Sequence, residues 1–227
     1  MQTYRTEGII LQALKFQDYD QILTIFTPGD GILKLMMKGA FSHKNGKGTL
    51  TAPLSRAEFI YTRGKGELYA CREISMLNQH LNLRQTLALL EAALDLLQTV
   101  YRSQVAHKAA PDLYKLLVAY LEKMMLVPDP QVLASSYRLK VLRHDGFLHL
   151  GEKCSSCQAP LPVRFCSQGE SFCRQHAPPG SLEFSAAEAT TLELLAYAPT
   201  LSHLTAGQVS PELARKIRQL FEDLLAR

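Results

Sequence analysis

The sequence predicts an α+β protein in two parts: a small β-barrel over residues 1–80 and an all-helical domain over residues 81–227. Three observations predict it. In the first 80 residues, short apolar runs and alternating positions are punctuated by Gly and Pro, the pattern of short strands. Beyond residue 80 the apolar positions recur every three or four residues, the period of a helix face. Residues 151–180 interrupt that period and hold four of the five cysteines, so this insertion needs its own means of ordering.

Taken in order, Gly8 to Leu14 reads as the first strand and Gln21 to Phe26 as a second, buried one. Thr27-Pro28-Gly29-Asp30-Gly31 has turn chemistry, because proline fixes φ and glycine supplies positive φ. Ile32 to Lys38 alternates: Leu33, Leu35 and Met37 share one face, and Lys34, Met36 and Lys38 the other. Residues 39–51 are glycine-rich and basic, a loop. Arg56 to Thr62, with Phe59 and Tyr61 inward, and Glu67 to Ser75 are the last two strands, joined by a hairpin turn at Arg63-Gly64-Lys65-Gly66. Five short strands with no crossover helix predict a closed barrel of the OB-fold type, whose strands 2–3 face and neighbouring loops bind oligonucleotides.

In the helical part, Leu83, Leu87, Leu90, Leu94, Leu97 and Tyr101 form one apolar stripe, read as core packing. Pro111 opens the next helix, with Leu113, Leu116, Leu117, Tyr120, Leu121 and Met124 buried. Asp129-Pro130 caps a third helix that ends at Gly146, and its polar side carries Arg138, Lys140, Arg143 and His144, read as a solvated face. Ser185 and Glu188 make a capping box, and Ser210-Pro211 starts the last helix, whose apolar face is Leu213, Ile217, Leu220, Phe221 and Leu224.

The insertion reads CSSCQAPLPVRFCSQGESFCRQH. Cys154 and Cys157 form a C-x2-C knuckle, and fifteen residues on, Cys173 and His176 form a C-x2-H pair. Two such knuckles close a tetrahedral Zn²⁺ site. The expected ligands are therefore Cys154, Cys157, Cys173 and His176, with one zinc per chain and Cys166 a bystander. Four protein ligands leave no open position for water, so the site is structural rather than catalytic. The loop between the knuckles lacks a long apolar run, and metal binding would supply its folding free energy.

The net charge of +4 is unevenly spread. Residues 34–72 hold eight basic side chains against Glu58 and Glu67, a net +6, which points to a polyanionic partner. The candidate nucleic-acid contacts are Lys34, Lys38, Lys44, Lys47, Arg56, Arg63 and Lys65. The chain has no Trp, and apart from Tyr61 and Phe41 few aromatics lie near these residues, so charge is expected to outweigh base stacking. No P-loop, G-x-S-x-G or H-E-x-x-H pattern occurs, which argues against an enzyme. The N-terminus does not read as a signal peptide, and no apolar run approaches the ~20 residues that span a bilayer. The expectation is a cytoplasmic, nucleoid-associated protein.

These pieces together resemble the RecO family of bacterial recombination mediators. The opening TEGIILQALKFQDYDQILTIFTPGDGILKLMMKGA is similar to the family's barrel, with its FTP-x-x-G turn. YRLKVLRHDGF is similar to the leucine-rich helix that ends in Gly-aromatic before the first knuckle, and the knuckles follow in the family's order. His176 stands where a fourth cysteine is commoner, and Asp18 or Asp20 where the family has an acid. The resemblance implies a non-enzymatic protein that binds single- and double-stranded DNA and anneals complementary strands. It also implies that the protein, with RecR, helps load RecA onto DNA coated by single-stranded-DNA-binding protein. That coating protein's acidic, apolar tail is the suggested partner of Arg138, Lys140 and Arg143. An RNA-binding OB-fold protein with a structural zinc module is the alternative that composition leaves open.

Overall fold

The computed structural model describes residues 2–42, 51–204 and 208–226. They form two compact units, residues 1–122 and 123–227.

The first unit is built on a closed barrel of β1 (Thr3–Phe16), β2 (Asp20–Thr27), β3 (Gly31–Met37), β4 (Arg56–Thr62) and β5 (Leu68–Asn78), in the order β1-β2-β3-β5-β4. β1 is longer than its apolar run because it serves two neighbours. Thr3 to Ile9 pairs with β4, Ile9 to Phe16 pairs with β2, and a bulge between Ile10 and Gln12 bends the strand. β3 and β5 are parallel and pair only at Lys34–Met36 with Leu68–Ala70. The strands then part and leave a cleft lined by Lys38, Gly39, Arg72 and Glu73. The alternation in β3 is realised: Leu33, Leu35 and Met37 are buried and Lys34 is exposed. Phe59 and Tyr61 point into the barrel core with Ile10, Leu23 and Ile25.

Helices α1 (Leu87–Ser103) and α2 (Pro111–Lys123) belong to this same unit. The segment between them is laced to the β2–β3 turn. Ile32 N donates to Val105 O, His107 N to Asp30 O and Ala110 N to Pro28 O. Gly31, at φ +62°, permits the approach, because a Cβ there would lie 2.5 Å from both Val105 O and Lys108 O. The TPGDG stretch is thus a docking surface for the α1–α2 connection as well as a hairpin turn. Two further ties involve α2: Tyr114 Oη donates to Glu7, and Arg56 bridges Glu7 and Glu122.

The face of α1 differs from expectation. Leu83 and Leu97 are buried, but Leu87 is 70% exposed, and Leu94 and Tyr101 are also exposed. The buried side is Ala92, Ala93, Leu96, Leu97 and Val100. Two alanines there give α1 a flat face toward its neighbours, and a stripe of large apolar residues does not reveal which side is covered.

In the second unit, α3 (Pro130–His144) packs against both α4 (Ala186–Tyr197) and α5 (Pro211–Leu225). Its caps are as expected: the Asp129 side chain accepts from Gln131 N, and Gly146 follows at φ +80°. Ser185 and Glu188 form the full capping box, and all five expected residues of α5 are buried. The expected solvated side of α3 is corrected at Arg138 and Lys140, whereas Arg143 and His144 are exposed as expected. Residues 132–139 are buried throughout, Arg138 being only 4% exposed. Lys140 Nζ donates to Ala198 O at 2.7 Å and Arg143 to Ala196 O at 2.5 Å, with the Arg143 guanidinium over the Tyr197 ring. These two cations meet the carbonyls and the negative dipole end of α4, a use for positive charge that helical periodicity does not reveal. A three-stranded sheet, β6 (Arg164–Ser167), β7 (Glu170–Phe172) and β8 (Leu182–Phe184), carries the knuckle segment in the order β7-β6-β8. Among the described residues no helix is long and apolar enough to cross a membrane.

Candidate metal centre and nucleic-acid surface

The two knuckles fold toward one another. In the first, Gln158 N donates to Cys154 O and Cys154 N to Ala159 O, with Gln158 at φ 61° completing the turn. In the second, His176 N donates to Cys173 O. Ser155 N donates to Ser171 O, which ties the first knuckle to β7, the strand that leads into the second.

The ligand atoms of Cys154, Cys157, Cys173 and His176 all lie within 4.8 Å of one another. Cys157 Sγ is 3.8 Å from Cys173 Sγ, and His176 Nδ1 is 3.2 Å from Cys173 Sγ and 4.0 Å from Cys154 Sγ. A zinc tetrahedron with thiolate and imidazole ligands has edges of roughly 3.5–3.8 Å, so three thiols and an imidazole at these separations could hold a metal ion. The His176 imidazole draws the Cys173 thiol below its usual value, and that thiol in turn raises His176. Cys166 is not part of the group. It sits on β6 between Ser171 and Leu182, and burial pushes its thiol up to about 11.

The candidate nucleic-acid contacts divide. Lys34, on β3, and Lys38, just beyond it, are exposed, as is Lys65 in the β4–β5 turn. Lys44 and Lys47 lie outside the described residues. The two arginines are engaged within the unit. Arg56 pairs with Glu7 at 2.8 Å and Glu122 at 2.9 Å. Arg63 pairs with Asp30 at 2.8 Å and lies 4.4 Å above the Tyr4 ring, and its hydrogen bond with Tyr61 helps to hold its pKa above the ordinary value. Charge counting along the sequence cannot separate such internal partners from free cations.

Of the two aromatics expected near these residues, the placement of Tyr61 is corrected. Tyr61 is in the barrel core, whereas the β1–β2 hairpin presents Phe16 and Tyr19 to solvent, next to Phe41. Phe41 N donates to Tyr19 O, and Gly39 N donates to Asp20 Oδ1, so the hairpin tip and the turn after β3 are fastened together. The signal available in the sequence was KFQDYD, aromatics placed within a polar turn where no core can cover them.

A closed five-stranded barrel with exposed lysines on and just after its third strand, joined to helices that carry a three-cysteine, one-histidine cluster, defines an OB-like barrel protein with a segment that could hold a metal ion. Comparison with known proteins gives the family. Residues 1–80 match the model for the N-terminal part of recombination protein O and residues 84–227 the model for its C-terminal part, so the chain belongs to that family. Relatives named DNA repair protein RecO include one from Chlamydia pneumoniae, 27% identical over 96% of this chain and 86% of the relative. Another, from Exiguobacterium sibiricum, is 27% identical over 98% of this chain and 90% of the relative. A third, from Chlamydia muridarum, is 24% identical over 96% and 94%.

Proposed function

We propose that this chain is a non-enzymatic recombination and repair mediator that binds single- and double-stranded DNA through its barrel and anneals complementary strands. The observation that carries the reading is the exposed lysine pair, Lys34 on the third barrel strand and Lys38 just beyond it, in a chain that belongs, over nearly its whole length, to the recombination protein O family. Lys65 is also exposed, and Lys44 and Lys47 add positive charge in the sequence that follows Lys38. Such a surface binds phosphates irrespective of sequence, which is what pairing two arbitrary complementary strands requires. Resemblance to the family extends the proposal to partners: the protein acts with RecR on DNA coated by single-stranded-DNA-binding protein and helps load RecA.

The metal in this reading is one Zn²⁺ per chain, held by Cys154, Cys157, Cys173 and His176. It would supply folding free energy to residues 151–180 and no chemistry, since four protein ligands fill its tetrahedron. The family's tail-binding role fits Arg138 and Lys140 poorly, because Arg138 is buried and Lys140 meets a helix end; Arg143 alone of the three is exposed.

The test is an annealing assay with complementary oligonucleotides, bare and coated with the cognate single-stranded-DNA-binding protein. The expected result is faster pairing of both, with RNA strands competing less well than DNA. No acceleration with either substrate would overturn the proposal, and preferential binding of RNA would favour an RNA-binding barrel.

A further inference from the structure

We infer that the uncovered side of α1 is a self-association surface, on which a second copy of this chain packs its own α1 antiparallel about a twofold axis. Leu87, Leu94 and Tyr101 are 70%, 41% and 39% exposed. They recur every two turns of the helix and so form one apolar ridge along it. Beyond the helix end, Val105 and Ala106 join Ile32 and Tyr101 as the apolar wall of a hollow of roughly 350 Å³. Leu87 stands at the opposite end of α1, about 21 Å from Tyr101 along the axis. The helix thus carries an apolar knob at one end and an apolar hollow at the other. A twofold axis through its middle seats the knob of each copy in the hollow of the other, the self-complementarity that an isologous contact requires.

Charge selects the same occupant and the same direction. Glu91 and Arg102 are exposed on one flank of the ridge, three turns apart, about 16 Å along the axis and too far to pair within one chain. The axis that brings Leu87 to Val105 and Ala106 also brings Glu91 of each copy to Arg102 of the other, on the same side of the interface. A parallel pairing would instead set Glu91 against Glu91 and hollow against hollow. The other charges here do not oppose this arrangement. Asp95 adds a second acid toward the middle of the helix, and Arg84, before it, donates to Pro53 O. Lys34 and Glu67 at the hollow carry opposite signs. Antiparallel helices also place unlike ends of their dipoles together. Such a dimer carries two barrels, so one particle can hold both strands of a complementary pair. That consequence rests on the proposed DNA binding, whereas the dimer does not.

The test is sedimentation of the full-length protein, without DNA, across micromolar concentrations. The wild type should pass from monomer to dimer. Leu87→Asp and Leu94→Asp should each weaken association about tenfold or more. Both side chains are exposed, so circular dichroism and the melting midpoint should match the wild type. Glu91→Arg and Arg102→Glu should each weaken association, and the double variant should recover it. The inference is overturned if the wild type stays monomeric throughout, which would give the ridge to a different protein. It is also overturned if both Asp variants dimerise as the wild type does, or if the double variant associates no better than the single ones. Annealing by a persistent monomer would end this inference and leave the DNA-binding proposal standing.

Discussion

Gly169 has a neighbour that no side chain could share. It sits at φ +80° in the β6–β7 turn, where a Cβ would fall 1.8 Å from Phe147 O, and its own carbonyl accepts from His149 N. Gly169→Ala must therefore move the segment that joins α3 to the first knuckle, and is expected to cost about 3 kcal/mol or more. Gly180 shares the φ of +80° but has open space around it, so Gly180→Ala should cost only about 1 kcal/mol. Denaturation midpoints of the two variants check this, and equal losses would mean that the close approach is unimportant. His80 offers a second residue-scale outcome. It is buried at φ 46°, with Nδ1 on Leu54 O, and burial lowers its pKa below 6.5 despite that hydrogen bond. The folded state thus favours neutral imidazole. The associated stability is complete above pH ~6.5 and is lost as pH falls below that value, because the unfolded chain then binds the proton first. The slope of unfolding free energy between pH 7 and 5 should flatten in His80→Gln. An unchanged slope would place the acid sensitivity elsewhere.

At the scale of elements, the sequence was most legible where one residue type has one physical use. The paired knuckles, the Ser185–Glu188 capping box and the Asp129 and Ser210 caps all appear at the expected positions. It was least legible where a residue's role depends on what another element brings to it. Arg56 and Arg63 look like free cations until β1, α2 and the β2–β3 turn deliver Glu7, Glu122 and Asp30. Lys140 looks solvated until the end of α4 arrives. The apolar stripe of α1 fails for the same reason, since periodicity identifies a face without saying what covers it. The knuckles give the element-scale prediction. Metal analysis of purified protein should find about one zinc per chain. Cys173→Ser should lose the metal and loosen the 151–180 segment to proteolysis, whereas Cys166→Ser should retain both properties. If Cys166→Ser releases zinc and His176→Ala does not, the ligand set is wrong.

For the molecule as a whole, the fold class was readable because barrel and helices have different hydrophobic periods. That α1 and α2 pack with the barrel has little signature in the sequence, because the ties are backbone bonds at Pro28, Asp30 and Ile32 and side-chain pairs, Tyr114 with Glu7 and Arg56 with Glu122, between residues far apart in the chain. The proposed function uses the charges left over once internal pairs are formed. Lys34, Lys38 and Lys65 remain exposed, and Lys44 and Lys47 complete a set of five lysines by sequence. The central claim is that this set holds the backbone of single-stranded DNA, and its most direct test is affinity for a mixed-sequence oligonucleotide measured across salt concentration. Five phosphate contacts correspond to a log–log slope near −3.5, and Lys34→Ala or Lys38→Ala should bring it closer to zero by about 0.7. Arg63→Ala should leave the slope unchanged. A flat salt response, or a slope that only Arg63→Ala alters, would contradict the claim.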